Sequence, residues 1–168
     1  MTYQVNKTIT NIVSGAAVLI AYCVYAFGRY QAGLLAADDL RAWAITMLVF
    51  IGIGVAAAIV IQIAFHILFS IAIAIRENLK NGTVDDKEVE KTIELEMVED
   101  EMDKLIELKS LRVGFIVAGI GFVAALISLV LYHPPVVMIN ILFLSFSIGS
   151  LLEGFTQLYF YRKGVTNV

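Results

Sequence analysis

Four long apolar runs set the pattern of this chain: residues 9–30, 43–75, 113–132 and 136–161. Short polar breaks part the first from the second and the third from the fourth. One long charged stretch parts the second from the third. Crossing a hydrocarbon core of ~30 Å takes about 20 residues of helix. Inside lipid the backbone must satisfy its own hydrogen bonds, so each run predicts a transmembrane α-helix. A membrane β-barrel would instead show alternating segments of about 10 residues, which are missing here.

The breaks define the helix ends. Ser14, Gly15, Ala16, Ala17, Ala21 and Ala26 give the first helix small residues that let a neighbouring backbone approach. Arg29, Tyr30 and Gln31 close it, and the short loop AGLLAADDLR follows. Asp38 or Asp39 suits the N-cap of the second helix, and Trp43 suits a membrane interface. The second run amounts to about 51 Å of helix, too much for one upright crossing. Tilt, an interfacial first turn or an extension beyond the membrane must absorb the excess. Gly52 and Gly54 mark a close contact or a kink, and Asn81 followed by Gly82 is a helix stop. Pro134 and Pro135 terminate the third helix. Tyr159, Tyr161, Arg162 and Lys163 anchor the end of the fourth.

The charged stretch, residues 82–112, cannot enter lipid. Apolar residues recur within it at Val89, Ile93, Met97, Val98, Met102, Leu105, Ile106 and Leu111, the spacing of an amphipathic helix. Asp85 with Glu88 has capping-box spacing. A break near Glu99 and Asp100 is expected, with a short surface helix before it and a long helix entering the membrane after it. The chain therefore divides into a first transmembrane hairpin (1–81), an acidic cytoplasmic helical segment (82–112) and a second transmembrane hairpin (113–168).

Composition agrees with this pattern. Apolar residues make up 60% of the chain, above the roughly 45–50% of soluble domains, and the mean hydropathy is +0.84. A net charge of −3 offers no basic field to nucleic acid, so no nucleic-acid partner is expected. Cys23, the single cysteine, has no partner for an intramolecular disulfide. The first residues lack the charged, apolar and small-residue order of a signal peptide, so the first run is expected to stay as a span. With the acidic segment on the inside, ten Lys and Arg lie inside and two, Arg29 and Arg41, outside. The positive-inside rule then predicts both termini in the cytoplasm and a multi-pass protein of the inner membrane.

Candidate chemistry is confined to a few polar groups inside the spans: Gln62 and His66 in the second, and Asn140, Glu153 and Gln157 in the fourth. His66 and Glu153 each fall about 14 Å short of the basic residues, Arg76 and Arg162, that end their helices. Gln62 with His66, and Glu153 with Gln157, are i,i+4 pairs on one helix face. An intramembrane cluster of Gln62, His66, Glu153 and Gln157 is therefore expected. It serves either as a proton, ion or metal step, or as a structural hydrogen bond between Glu153 and His66 (or a protonated Glu153) that orients the helices. One His and one carboxylate make a poor metal site, and no cofactor is expected. The acidic run IELEMVEDEMD has no calcium-loop pattern and reads as a solvated face. Motifs for acyl transfer, zinc hydrolysis and phosphate binding are missing, so an enzyme is not expected.

The run DEMDKLIELKSLRVGF, residues 100–115, resembles the Asp-Glu-Arg-x-x-x-Ile-x-x-Lys-Ala-x-Arg lead-in to a membrane helix found in small prokaryotic four-span integral membrane proteins of uncharacterised function. Met102 stands where that pattern has Arg, and Ser110 where it often has Ala. The likeness implies a four-helix inner-membrane protein with an acidic cytoplasmic linker, and it carries no catalytic residue. The expected architecture is an all-α membrane protein: four transmembrane helices with a cytoplasmic amphipathic helical insertion between helices 2 and 3. Two functions are expected of it. One is non-enzymatic docking of a cytoplasmic partner, or self-association, through residues 84–111. The other is a small transporter or channel, oligomeric because four spans enclose little room for a pore.

Overall fold

The computed structural model describes residues 2–81 and 100–164. Four helices follow in order: α1 (Thr2–Gln31), α2 (Leu40–Asn81), α3 (Glu101–Val130) and α4 (Pro135–Lys163). All four are long and apolar enough to cross a membrane, so the chain is a multi-pass helical membrane protein. The expected four-helix class stands. Residues 82–99 of the expected insertion lie outside the described residues. Residues 101–112 are no separate element, because they form the first turns of α3.

Local chemistry explains each boundary. After α1, Gly33 takes φ 69°, Leu34 N–H donates to Arg29 O, and Gly33 N–H donates to Tyr30 O. This paired arrangement closes the helix where glycine alone is unstrained. Asp39 caps α2 by accepting from Ala42 N–H at 2.9 Å. The Trp43 indole N–H donates to Ala36 O and pins the loop across the helix start. Asp100 opens α3 with a reciprocal capping box, in which Asp103 N–H donates to Asp100 and Asp100 N–H to Asp103. The break expected near Glu99 and Asp100 coincides with this cap. At the far end of α3, Tyr132 occupies the left-handed region at φ 60°. Tyr132 and His133 N–H repeat the pattern that closes α1, donating to Leu129 and Ser128. A residue other than glycine there costs about 1–2 kcal/mol, and the two prolines that follow leave the chain no helical alternative.

Successive helices run antiparallel. The end holding Lys7, Arg76, Arg112 and Arg162 (the charged end) lies opposite the end holding the two short loops (the loop end). Tyr3 packs against Phe65 and, edge-on, against Phe69, which fixes the start of α1 beside the second half of α2. From Phe69 to Asn81, α2 continues about 18 Å beyond the start of α1. α2 runs as one helix through its length, past Gly52 and Gly54. At the loop end Tyr22, Ala26, Leu35, Trp43, Met47 and Val136 form the buried core, which joins α1, α2 and α4.

The tightest packing lies between α3 and α4. Every buried residue of α3 belongs to one stripe: Ile106, Ser110, Gly114, Ala118, Gly121, Ala125 and Ser128. All but Ile106 are small, so the two backbones nearly touch. A Cβ on Gly149 would sit 2.8 Å from Gly114 O, and one on Gly121 would overlap Ser145. In lipid the helices gain nothing by hiding apolar surface from water, so dispersion across this close seam has to hold them. The other contacts arrange themselves around α4, which also packs on α1. Gly154 there receives Ile12, whose Cγ1 would lie 2.6 Å from an added Cβ. In turn α1 carries α2, while α2 and α4 meet only lightly. Of the small residues expected to pack in the first helix, Ala26 is buried and Gly15 faces Leu151, whereas Ala17 and Ala21 are exposed. The decisive glycines, Gly114, Gly121 and Gly149, were not singled out by the sequence pattern.

This geometry separates glycines that matter from those that do not. Gly149→Ala is expected to lower stability by about 1–3 kcal/mol, because the backbone opposite cannot yield cheaply. Gly119→Ala meets nothing within 4 Å and is expected to be neutral or slightly stabilising. Thermal unfolding in detergent, followed by circular dichroism, compares the two.

Candidate functional site

A cleft of about 720 Å³ runs between α2 and α4 with α1 as its floor. It exists because α1 holds both neighbours while α2 and α4 barely meet. Its α1 wall runs from Thr8 to Leu19, its α2 wall from Met47 to Gln62 and its α4 wall from Leu142 to Gln157. Given the antiparallel order, these limits divide the cleft by chemistry. Toward the loop end the walls are Leu19, Met47, Phe50, Leu142 and Phe143. Toward the charged end they include Thr8, Asn11, Gln62, Glu153 and Gln157.

The loop end is sealed by Tyr22. Its ring packs on Phe143 at 4.3 Å and Phe50 at 5.5 Å, and its hydroxyl donates to Asn140 Oδ1 at 2.7 Å. Asn140 is held in turn by its own amide donating to Val136 O. This intramembrane asparagine therefore satisfies a seal and leaves no polar group over.

At the charged end the Thr8 hydroxyl lies 2.9 Å from Gln4 O and 3.2 Å from Gln157 Oε1, joining α1 to α4. Glu153 sits one turn away, where the cleft meets the α3–α4 seam. Its Oε2 is 3.1 Å from the place a Cβ on Gly114 would take, so the absent side chain at 114 makes room for the carboxylate. Among the described residues none hydrogen-bonds to Glu153. Among the cleft's lining residues it is the single charged side chain. A carboxylate so placed inside a span is costly until a counter-charge or proton meets it. Gln4 Nε2 and Ser110 Oγ, both buried, also lack a partner among the described residues.

The structure brings three of the four expected site residues together. Gln62, Glu153 and Gln157 share the cleft. His66 does not: it lines a smaller pocket of about 140 Å³ between α1 and α2, with Tyr3, Lys7 and Phe65, and meets Gln62 there. The expected Glu153–His66 hydrogen bond is not formed, because α1 stands between the two. The expected equal depth fails as well: Gly154, beside Glu153, meets Ile12 of α1, while Phe65, beside His66, packs on Tyr3, so His66 lies about two helical turns nearer the charged end than Glu153. Thr8 and Asn11 belong to the site as well. Their signal is the i, i+4, i+7 spacing of Gln4, Thr8 and Asn11, a polar stripe at the start of an otherwise apolar helix.

Among the described residues, no three His, Cys, Asp or Glu side chains gather as a metal site. Of the described carboxylates of the acidic run, Asp100 and Asp103 are engaged in the α3 cap and Glu101 is exposed. No known protein family, curated protein or solved structure matches the chain.

An open cleft leaves Glu153 within reach of reagents dissolved in lipid. Dicyclohexylcarbodiimide is expected to modify Glu153 in membranes, and Ser150→Phe, on the cleft wall, is expected to slow the modification. Peptide mapping by mass spectrometry reads it; labelling that spares Glu153 would mean the cleft is closed.

Proposed function

We propose that this chain is a non-enzymatic membrane protein that binds a small solute or ion in the α2–α4 cleft and works as a small oligomeric transporter. One observation carries the reading: Gln62, Glu153 and Gln157, from two helices, line a single cleft in which Glu153 is the one charged lining residue. A purely structural carboxylate would be expected to hold a helix neighbour, and among the described residues none hydrogen-bonds to this one. Four helices leave the α2–α4 side of the cleft unwalled, which favours completion by a second copy. The positive-inside rule puts the charged end in the cytoplasm of a bacterial or archaeal cell, with both termini inside. The likeness of residues 100–115 to small prokaryotic four-span proteins supports the same placement.

A second reading, docking of a cytoplasmic partner through residues 84–111, has one feature in its favour. Glu101, Met102 and Leu108 stay exposed on the first turns of α3, while Ile106 and Ser110 of the same segment are already covered. If docking is the function, deleting residues 84–98 abolishes crosslinking to the partner.

Reconstituted in liposomes, the protein is expected to pass ions or protons. Glu153→Gln should cut that flux by roughly tenfold or more, the scale of losing a charge-assisted contact. His66→Ala should leave it near the parent level. Flux that survives Glu153→Gln would reject the reading.

A further inference from the structure

The transporter reading leaves the nature of the solute open, and the cleft's own chemistry narrows it. Its length is set by the α4 wall from residue 142 to 157, about 22 Å of helix. Across that length the lining changes from apolar and aromatic (Met47, Phe50, Phe143) to polar around Glu153. No Lys, Arg or His lines it. A volume of about 720 Å³ falls within the roughly 300–1,000 Å³ of pockets that bury whole organic ligands. A bare inorganic ion would leave most of such a space without contacts, and an anion would face Glu153 with nothing to balance it.

We propose that the cleft takes amphipathic organic cations, with the positive head at Glu153 and the apolar body lying along the aromatic half toward Tyr22. This rests on the reading of the cleft as a solute site and names the class of solute. Three features meet in it. The carboxylate gains a counter-charge that no residue lining the cleft provides. The amides of Gln62 and Gln157 and the side chain of Asn11 surround the head with neutral polar groups, which tolerate a cation without fixing one shape. Phe50 and Phe143, with Met47 and Leu142, give an apolar body a wall to lie against. The light contact between α2 and α4 places the opening on the flank of the bundle, within the membrane, where amphipathic cations concentrate. A lipid ammonium headgroup and a free lipophilic cation share this chemistry.

The test uses the full-length protein in nanodiscs of phosphatidylglycerol, with tritiated tetraphenylphosphonium as probe and empty nanodiscs as the background. Saturable binding is expected. Decyltriphenylphosphonium should displace the probe more effectively than methyltriphenylphosphonium, because only the longer cation reaches the aromatic half. Neutral triphenylphosphine oxide should displace it poorly. Glu153→Gln is expected to weaken binding by about tenfold or more, with Glu153→Asp retaining most of it. Ser150→Phe, exposed on the cleft wall, guards against loss of folding: it should weaken binding while leaving the melting temperature near that of the parent. Competition by added phosphatidylethanolamine would assign the site to lipid ammonium groups, and its absence would assign it to free cations; both support the class. No saturable binding, equal displacement by the neutral analogue, or affinity unmoved by Glu153→Gln would overturn the inference. If ion flux still depends on Glu153 when the phosphonium series fails, the transporter reading stands and only the solute class falls.

Discussion

In hydrocarbon, apolar side chains gain nothing by turning away from the solvent, so the bundle depends on how closely two backbones can be brought together. Gly114 and Gly149 meet that condition. An added Cβ on either would lie within 3.3 Å of the other's carbonyl oxygen. Close approach multiplies dispersion contacts along the whole length of α3 and α4. The remaining arrangement follows. With α3 committed to α4, the opposite flank of α4 is free for α1, and α1 carries α2. The cleft is what is left over when three helices are joined in a row without closing into a ring.

The same seam also places the carboxylate. Glu153 belongs to α4, one turn beyond Gly149 on the helix, and its Oε2 lies where a side chain at position 114 would have been. A residue chosen for packing at 114 thus makes room for a charge. Structure and site share one constraint here, and Gly114 resists change for two reasons, the Gly149 carbonyl and the Glu153 carboxylate.

Much of the fold was legible in the sequence because lipid imposes so few solutions. Apolar runs of sufficient length must be helices, and Asp39, Asp100, Gly33 and the Pro134–Pro135 pair mark ends by chemistry that acts locally. What could not be read was lateral order. Hydropathy does not distinguish a Gly that meets lipid, such as Gly119, from one that meets a backbone, such as Gly114, since both sit among Val, Ile and Phe. The site divides along the same line. Depth along each helix is a matter of counting, so Gln62, Glu153 and Gln157 were found. Azimuth and the shift of one helix along its neighbour are set by packing, so His66 falls outside the cleft, with α1 between it and Glu153. Thr8 and Asn11 were passed over because a polar stripe next to a helix start looks like an ordinary interfacial end.

Tyr22 gives the cleft a blind end. One hydroxyl contact to Asn140 and two ring contacts hold it. Beyond its ring the loop end is filled by Ala26, Leu35, Trp43, Met47 and Val136, so the stop is a packed core joining three helices and not a single side chain. A passage through this end would have to part α1, α2 and α4, which leaves the open flank as the way into the cleft.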